Sequence, residues 1–394
     1  MAAVLAGIRV LDFGRYIAGP FCATLLSDLG ADVIRIEKVD GGEDRWTTPV
    51  AKGGDGAGFM QWGRNKRGMT LNPRTRDGAE ILKRLVATAD VVIANLPPAT
   101  LVEMGLDYAS LVAVKPDIIL TTATAFGGPG PYAERVGFDG VAQALSGNMY
   151  LTGEAGSPTK NFSPYVDYGT AGFSAFGTLA ALLHRRGTGE GQHVEASLLR
   201  SALTIMNGTL IEQALLAKDR VATGNRGQTA APSDTYRTRD GWLLVSVVGN
   251  PLFERWARLM EEPHWLTDPR FATDEGRGDH GDVISERMAR WCAERTTAQA
   301  IAALEAARLP CGEVLSPQEA LDNEHVRAAQ LLASVDFPGL DKPAPVAVTP
   351  IRMSKTPPTI RHRAPLLGEH TDSILKELGY GEAAIARFRS ERVI

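Results

Sequence analysis

Short runs of Val, Ile and Leu alternate with longer stretches of helical periodicity through the first third of the chain. GIRVLDF (7–13), ADVIRIE (31–37), ADVVIAN (89–95) and PDIILTTATAF (116–126) are the β-like runs. Between them, residues 21–29 and 76–88 repeat apolar positions every three to four residues, the spacing that gathers them on one face of a helix. Strands alternating with helices build βαβ units, which pack as a mostly parallel sheet with helices on both faces. The fold class expected is α/β, a Rossmann-like doubly wound large domain.

Sheets of that kind bind ligands at the carboxyl ends of their strands, so residues 13–20, 37–44, 95–98 and 126–137 should line one crevice. Residues 169–186 and 197–216 read as two long helices separated by the Gly-rich turn RGTGEGQ. Near residue 220 the chain becomes polar and Gly-rich, and YRTRDGWLLVSVV then resumes around a hairpin-type Asp-Gly turn. Helical runs follow at 251–261 and 284–308, and a Pro-rich stretch at 337–358 predicts an extended connector to final helices around 371–389. The organisation expected is a large domain over 1–220, a smaller α+β domain over 221–330 and a C-terminal return segment, 331–394, that completes the large domain.

Composition narrows the class without naming a function. Apolar residues make up 44% of the 394 and charged ones 22%, enough to bury real cores. A net charge of −4 from 42 basic and 46 acidic side chains leaves no electrostatic footprint for nucleic acid or an anionic membrane. The apolar N-terminal run lacks a basic flank, and no stretch reaches membrane-spanning length. Cys22, Cys292 and Cys311 are far apart, and the seven histidines form no ligand-spaced pair, so neither disulfides nor a metal site is expected. A cytoplasmic location fits best.

Three places carry candidate chemistry. Gly14 and Gly19 follow the first strand, but their spacing is neither that of a dinucleotide-binding turn nor that of a P-loop. Lys38, and the adjacent Lys66 and Arg67 of NKRGMTLN, could hold phosphates through charge-assisted hydrogen bonds, or could be a solvated edge. Asp167 is the only acid between Glu154 and Glu190 and stands ahead of a Gly- and Ala-rich helix. It suits an N-cap, and it also suits a reactive carboxylate, with Gly169, Ala171 and Gly172 leaving room for a reactant and for amides that approach an oxyanion.

VLDFGRYIAGPFCATLLSDLGADVIRIEK, NKRGMTLN, ADVVIANLPPATLVEMGLDYASL, FGGPGPYAERVGFDGVAQALSG and VDYGTAGFSAFGTLAALLHRRGTGEGQHVEASLL occur in one order, with DGWLLVSV, DPRF and APLLGEHTDSIL after them. Together they resemble the family III CoA-transferases, the CaiB/BaiF family, over nearly the whole chain. That resemblance implies an aspartyl nucleophile at Asp167 and an interlocked homodimer. It implies acyl-CoA and a carboxylic acid as substrates, with coenzyme A a substrate and no prosthetic group. Lys38, Leu71 with its neighbour Asn72, Asn95 and Arg135 match positions that contact CoA in formyl-CoA:oxalate members, where Arg135 replaces a Lys. Ile17 stands where those members carry a Gln near the acyl group, and Tyr16 and Gly169 flank the same site. Their Gly-rich loop has no counterpart at 246–253, which argues against oxalate.

Arg15, Tyr16, Asn148, Tyr150 and Lys160 are candidates for a second substrate carboxylate, as succinate or another small dicarboxylate would require. A racemase branch of the same superfamily uses a His ahead of an Asp, and here that stretch reads Gly137-Phe138-Asp139. Racemase-like proton transfer and a non-catalytic CoA-binding protein are the alternatives.

Overall fold

The computed structural model describes residues 3–394, which divide into two compact units. The first comprises residues up to 146, 162–211 and 329–394; the second comprises 147–161 and 212–328. Residues 147–161 therefore group with the smaller unit, an excursion that a single division at 220 does not contain.

The first unit is built on a six-stranded, all-parallel sheet: β1 (Arg9–Asp12), β2 (Asp32–Glu37), β3 (Lys66–Thr70), β4 (Val91–Ala94), β5 (Ile119–Thr124) and β6 (His193–Ser197), in the order β3-β2-β1-β4-β5-β6. Alternate side chains feed two cores. Leu11, Ile34 and Val92 pack on one face with α2 (Arg76–Thr88), while Val10, Val33 and Val91 pack on the other with α1 (Ala18–Asp28). The C-terminal return supplies Ile374, Leu375, Ile385 and Phe388 to the first of these cores.

Strand order reverses between β1 and β4, so the loops leaving their carboxyl ends diverge and open a crevice. Those loops are stapled together: the Arg15 amide donates to Asn95 Oδ1 at 2.6 Å, and Asn95 Nδ2 returns a bond to the Arg15 carbonyl at 2.8 Å. Gly14 is required by close approach, because a Cβ there would lie 2.6 Å from Pro20 Cδ and 2.9 Å from Asp12 Oδ1.

The adjacent cations of NKRGMTLN are not a phosphate site. Lys66 Nζ is buried and donates to Asp12 Oδ2 at 2.8 Å and to the Pro20 carbonyl at 2.7 Å. Arg67 is held by Asp32 and Glu377. Both charges are committed to partners, and for Lys66 burial away from water demands it.

Edge strand β6, HVEAS, has no continuous apolar run because one side is open, and its pattern did not declare it. The single helical run expected over 284–308 is two helices, separated where Thr296 and Gln299 form a capping box. Within the Pro-rich connector, residues Ala344–Ala347 pair antiparallel with Leu332–Val335.

The second unit carries β7 (Ser233–Arg237), β8 (Trp242–Ser246) and β9 (Cys311–Glu313) in an antiparallel sheet, with the Asp-Gly turn joining the first two. Its core centres on Phe253, Trp256 and Met288.

Candidate functional site

The site begins at the N-terminus of a 24-residue helix, Tyr165–Thr188, and at a short helix before it, Asp139–Leu145; these are α4 and α3. Asp167 is not the cap of α4. It is the third helical residue, and Pro164 occupies the cap position. Capping falls to Asp139, 5% exposed, whose Oδ2 accepts from the amides of Val166 at 2.8 Å and Asp167 at 3.0 Å. The other free amides are also used: Tyr165 donates to the Ser163 carbonyl and Tyr168 to the Pro164 carbonyl. Every amide of the first turn is thus taken, and none is left for an oxyanion.

The small residues serve packing more than the cleft. Ala171 is fully buried with Ala175 in the core shared with α1, which lets the two helices approach closely. The amides without a described acceptor lie at the start of α1 instead, at Ala18 and Gly19.

No described residue hydrogen-bonds the Asp167 carboxylate, and burial, followed by the negative charge of Asp139, pushes its pKa up to about 7. Burial and then Asp167 raise the phenol of Tyr168; burial and then Asp139 raise that of Tyr165. The carboxyl faces a cleft of about 240 Å³ lined by Arg15, Tyr16, Ala18, Asn95, Arg135 and Phe138 among others. Tyr16, at φ +57°, sets its ring edge-on to Phe138 with centroids 5.3 Å apart. Two aromatic rings from two different loops thus stand side by side at the cleft.

A second hollow of about 140 Å³ shares Arg15 and Leu96 with the first and is lined further by Lys38, Leu71, Arg74 and Met104. The two make one groove across the carboxyl ends of β1, β2 and β4. Arg15 lies at their junction. Its guanidinium donates to the Gly14 carbonyl at 2.9 Å and has no carboxylate partner among the described residues. Burial, and then the Arg35 guanidinium, lower its pKa. Lys38 is exposed and pairs with Glu43 at 2.5 Å.

Of the residues singled out in the sequence, Tyr16, Asn95, Arg135 and Asp167 meet in one cleft, and Lys38 and Leu71 in the adjoining hollow. Ile17, Asn72 and Gly169 line neither. Ile17 packs on the core, the Asn72 amide donates to the Val393 carbonyl while its side-chain oxygen accepts from the Arg74 amide, and a Cβ on Gly169 would meet only Ile205 Cδ1 at 3.9 Å. Asn148, Tyr150 and Lys160 belong to the second unit. The sequence reading missed Asp139 as a cap. An acid ahead of GVAQAL suggests a helix start, but nothing local says which helix it caps.

Among the described residues no group of three or more His, Cys, Asp or Glu side chains is arranged to hold a metal ion, and no helix is long and apolar enough to cross a membrane.

A family model described as CoA-transferase family III matches residues 5–371. The beta subunit of a succinyl-CoA–L-malate CoA-transferase from Chloroflexus aurantiacus is 35% identical across 99% of this chain and 98% of its own. A succinate–glutarate CoA-transferase from Agrobacterium fabrum is 33% identical across 95% of each chain. The crystal structure of a CaiB/BaiF family protein from Brucella suis has a TM-score of 0.83 at 31% identity, covering 96% of this chain and all of that one.

Proposed function

This chain belongs to CoA-transferase family III, and we propose that it moves CoA from an acyl-CoA to a carboxylic acid through covalent intermediates on Asp167. The observation that carries this reading is a carboxylate without hydrogen-bond partners among the described residues, lining a cleft that shares Arg15 and Leu96 with a second hollow.

The Asp167 carboxylate attacks the thioester carbonyl, and the CoA thiolate leaves to give a mixed anhydride. The thiolate then attacks the aspartyl carbonyl, releasing the donor acid and forming an aspartyl-CoA thioester. The acceptor carboxylate attacks that thioester, a second anhydride and free thiolate form, and the thiolate takes the acceptor's acyl group as Asp167 is released. Each step exchanges one nucleophile for one leaving group, so no redox partner is required. A thiol of pKa about 8.5 leaves readily, and a carboxylate with a pKa raised to about 7 is a stronger nucleophile than an ordinary Asp while still substantially ionised at neutral pH. The amide of Ala18, which lines the cleft and has no described acceptor, suits the oxyanion, a role that the first turn of α4 has no amides left to fill.

Lys38, Leu71, Asn95 and Arg135 are assigned to CoA; Tyr16 is assigned to the acyl group. Both relatives are named for exchange between succinate and a second dicarboxylate, which supports succinyl-CoA as donor and a small dicarboxylate as acceptor. Arg15, a cation without a carboxylate partner, supports the same class. Phe138 stands where the racemase branch carries its His, which leaves that reading without one of its two bases. Apolar side chains left open on α4 and on the following helix, Leu198–Leu216 (α5), support an interlocked homodimer: Phe176 is 74% exposed and Leu183 72%, with Ile205 and Ile211 also open.

The test is transfer from succinyl-CoA to L-malate and to glutarate. The wild type should form the corresponding acyl-CoA with at least one of them, and Asp167→Asn should lose at least about 10³-fold in kcat. Undiminished transfer by that variant would overturn the assignment.

A further inference from the structure

A carboxylate in the first turn of a helix ordinarily gains from the free amides and the positive end of the helix dipole. Asp167 is denied the first of these. The two amides nearest to it are held by Asp139 Oδ2, at 2.8 and 3.0 Å, and Asp139 is itself fixed by Gln143 Nε2. A half-buried anion therefore stands beside a second, buried carboxylate, and no described cation forms an ion pair with either. On the neighbouring elements the titratable groups are Tyr165 and Tyr168 of α4, with Arg64 acting on Tyr168, and Arg15 and Arg135 across the cleft; none of these cations forms an ion pair with Asp167. No ion pair among the described residues offsets the repulsion.

We propose that Asp139 is a positioning residue for the transfer reaction: by occupying the amides of α4 and presenting its own charge, it keeps the Asp167 carboxylate free of hydrogen-bond donors and available to the thioester. This rests on the reading of Asp167 as the nucleophile. The same pair serves both halves of the reaction. Repulsion raises the energy of free Asp167 carboxylate and is relieved whenever Asp167 is acylated or esterified to CoA, so the covalent states are favoured relative to the resting enzyme. A cap chosen only for helix stability could be Ser, Thr or Asn, none of which repels an anion.

The experiment is a pH profile of kcat/KM for wild type, Asp139→Asn and Asp139→Glu, with hydroxylamine trapping at Asp167 run in parallel. Asn keeps an oxygen for the two amides but loses the charge. Its acidic limb should fall from near pH 7 by about one unit, with the plateau rate reduced at least about tenfold, whereas Glu, which keeps the charge, should hold the limb near 7. An Asp139→Asn enzyme that folds, forms the Asp167 adduct and keeps the wild-type limb would make Asp139 a structural cap only, and overturn the proposal. Absence of the adduct in wild type would instead remove the nucleophile reading beneath it. Should Asp139→Asn not fold, Asp139→Ser, which also keeps an oxygen for the amides and loses the charge, takes its place: a limb lowered by about one unit supports the proposal and an unchanged limb overturns it.

Discussion

At the scale of single residues, the unusual feature is the half-buried Asp167 carboxylate. Its unfolded pKa is near 3.9 and its folded pKa about 7, so the folded chain holds this proton more tightly. The group therefore favours folding below pH 4, and that advantage is lost as pH rises from 4 through 7, leaving an ionised group that opposes folding at pH 8. Asp167→Asn should accordingly be more stable than wild type at pH 8, by about 1–3 kcal/mol after allowance for solvent in the cleft, and show no such gain at pH 4. Denaturant melts at the two pH values check this; an equal effect at both would mean that the carboxyl titrates normally. The sequence pointed to Asp167 because one acid stood at the head of an apolar helix. It could not show that Asp139, 28 residues earlier, would take the capping role, since that pairing exists only once α3 is laid beside α4.

Elements bring the groups together. The crevice was legible because periodicity distinguishes strand from helix, and strand alternation with helices fixes where loops gather. What periodicity could not give was the mutual stapling of two loops 80 residues apart by Arg15 and Asn95. Asn95→Ala removes both bonds and frees the Arg15 amide at the wall of the cleft. It should lower stability by about 1–3 kcal/mol and raise KM for acyl-CoA about tenfold, because the two loops that frame the groove no longer hold one geometry. Thermal melts and steady-state kinetics check both parts, and a stable variant with unchanged KM would show that the staple has no bearing on substrate. The misread cations follow the same logic. Lys66 and Arg67 look solvent-facing in the sequence, yet β3 places Lys66 beneath the first βα loop, where Asp12 neutralises it. The split of 284–308 was written in the sequence as TTAQ, a capping box within an otherwise continuous helical run.

For the whole molecule, the compact units are not contiguous in the chain. Composition shifts near residue 220 mark the Gly-rich link, but residues 147–161 join the second unit, and nothing in their composition signals a non-contiguous domain. The proposed dimer rests on the family resemblance and on the open apolar side chains of α4 and α5. Light scattering of the active protein should return twice the 42.2 kDa subunit mass, and a fully active 42.2 kDa species would contradict an interlocked dimer.

The most direct measurement is intact-mass and peptide mapping after incubation with succinyl-CoA, quenched with hydroxylamine or borohydride, for wild type and Asp167→Ala. Covalent transfer predicts a modification confined to Asp167 in wild type and absent from the variant. Turnover of succinyl-CoA without any adduct at Asp167, or an equal adduct in the variant, would contradict it.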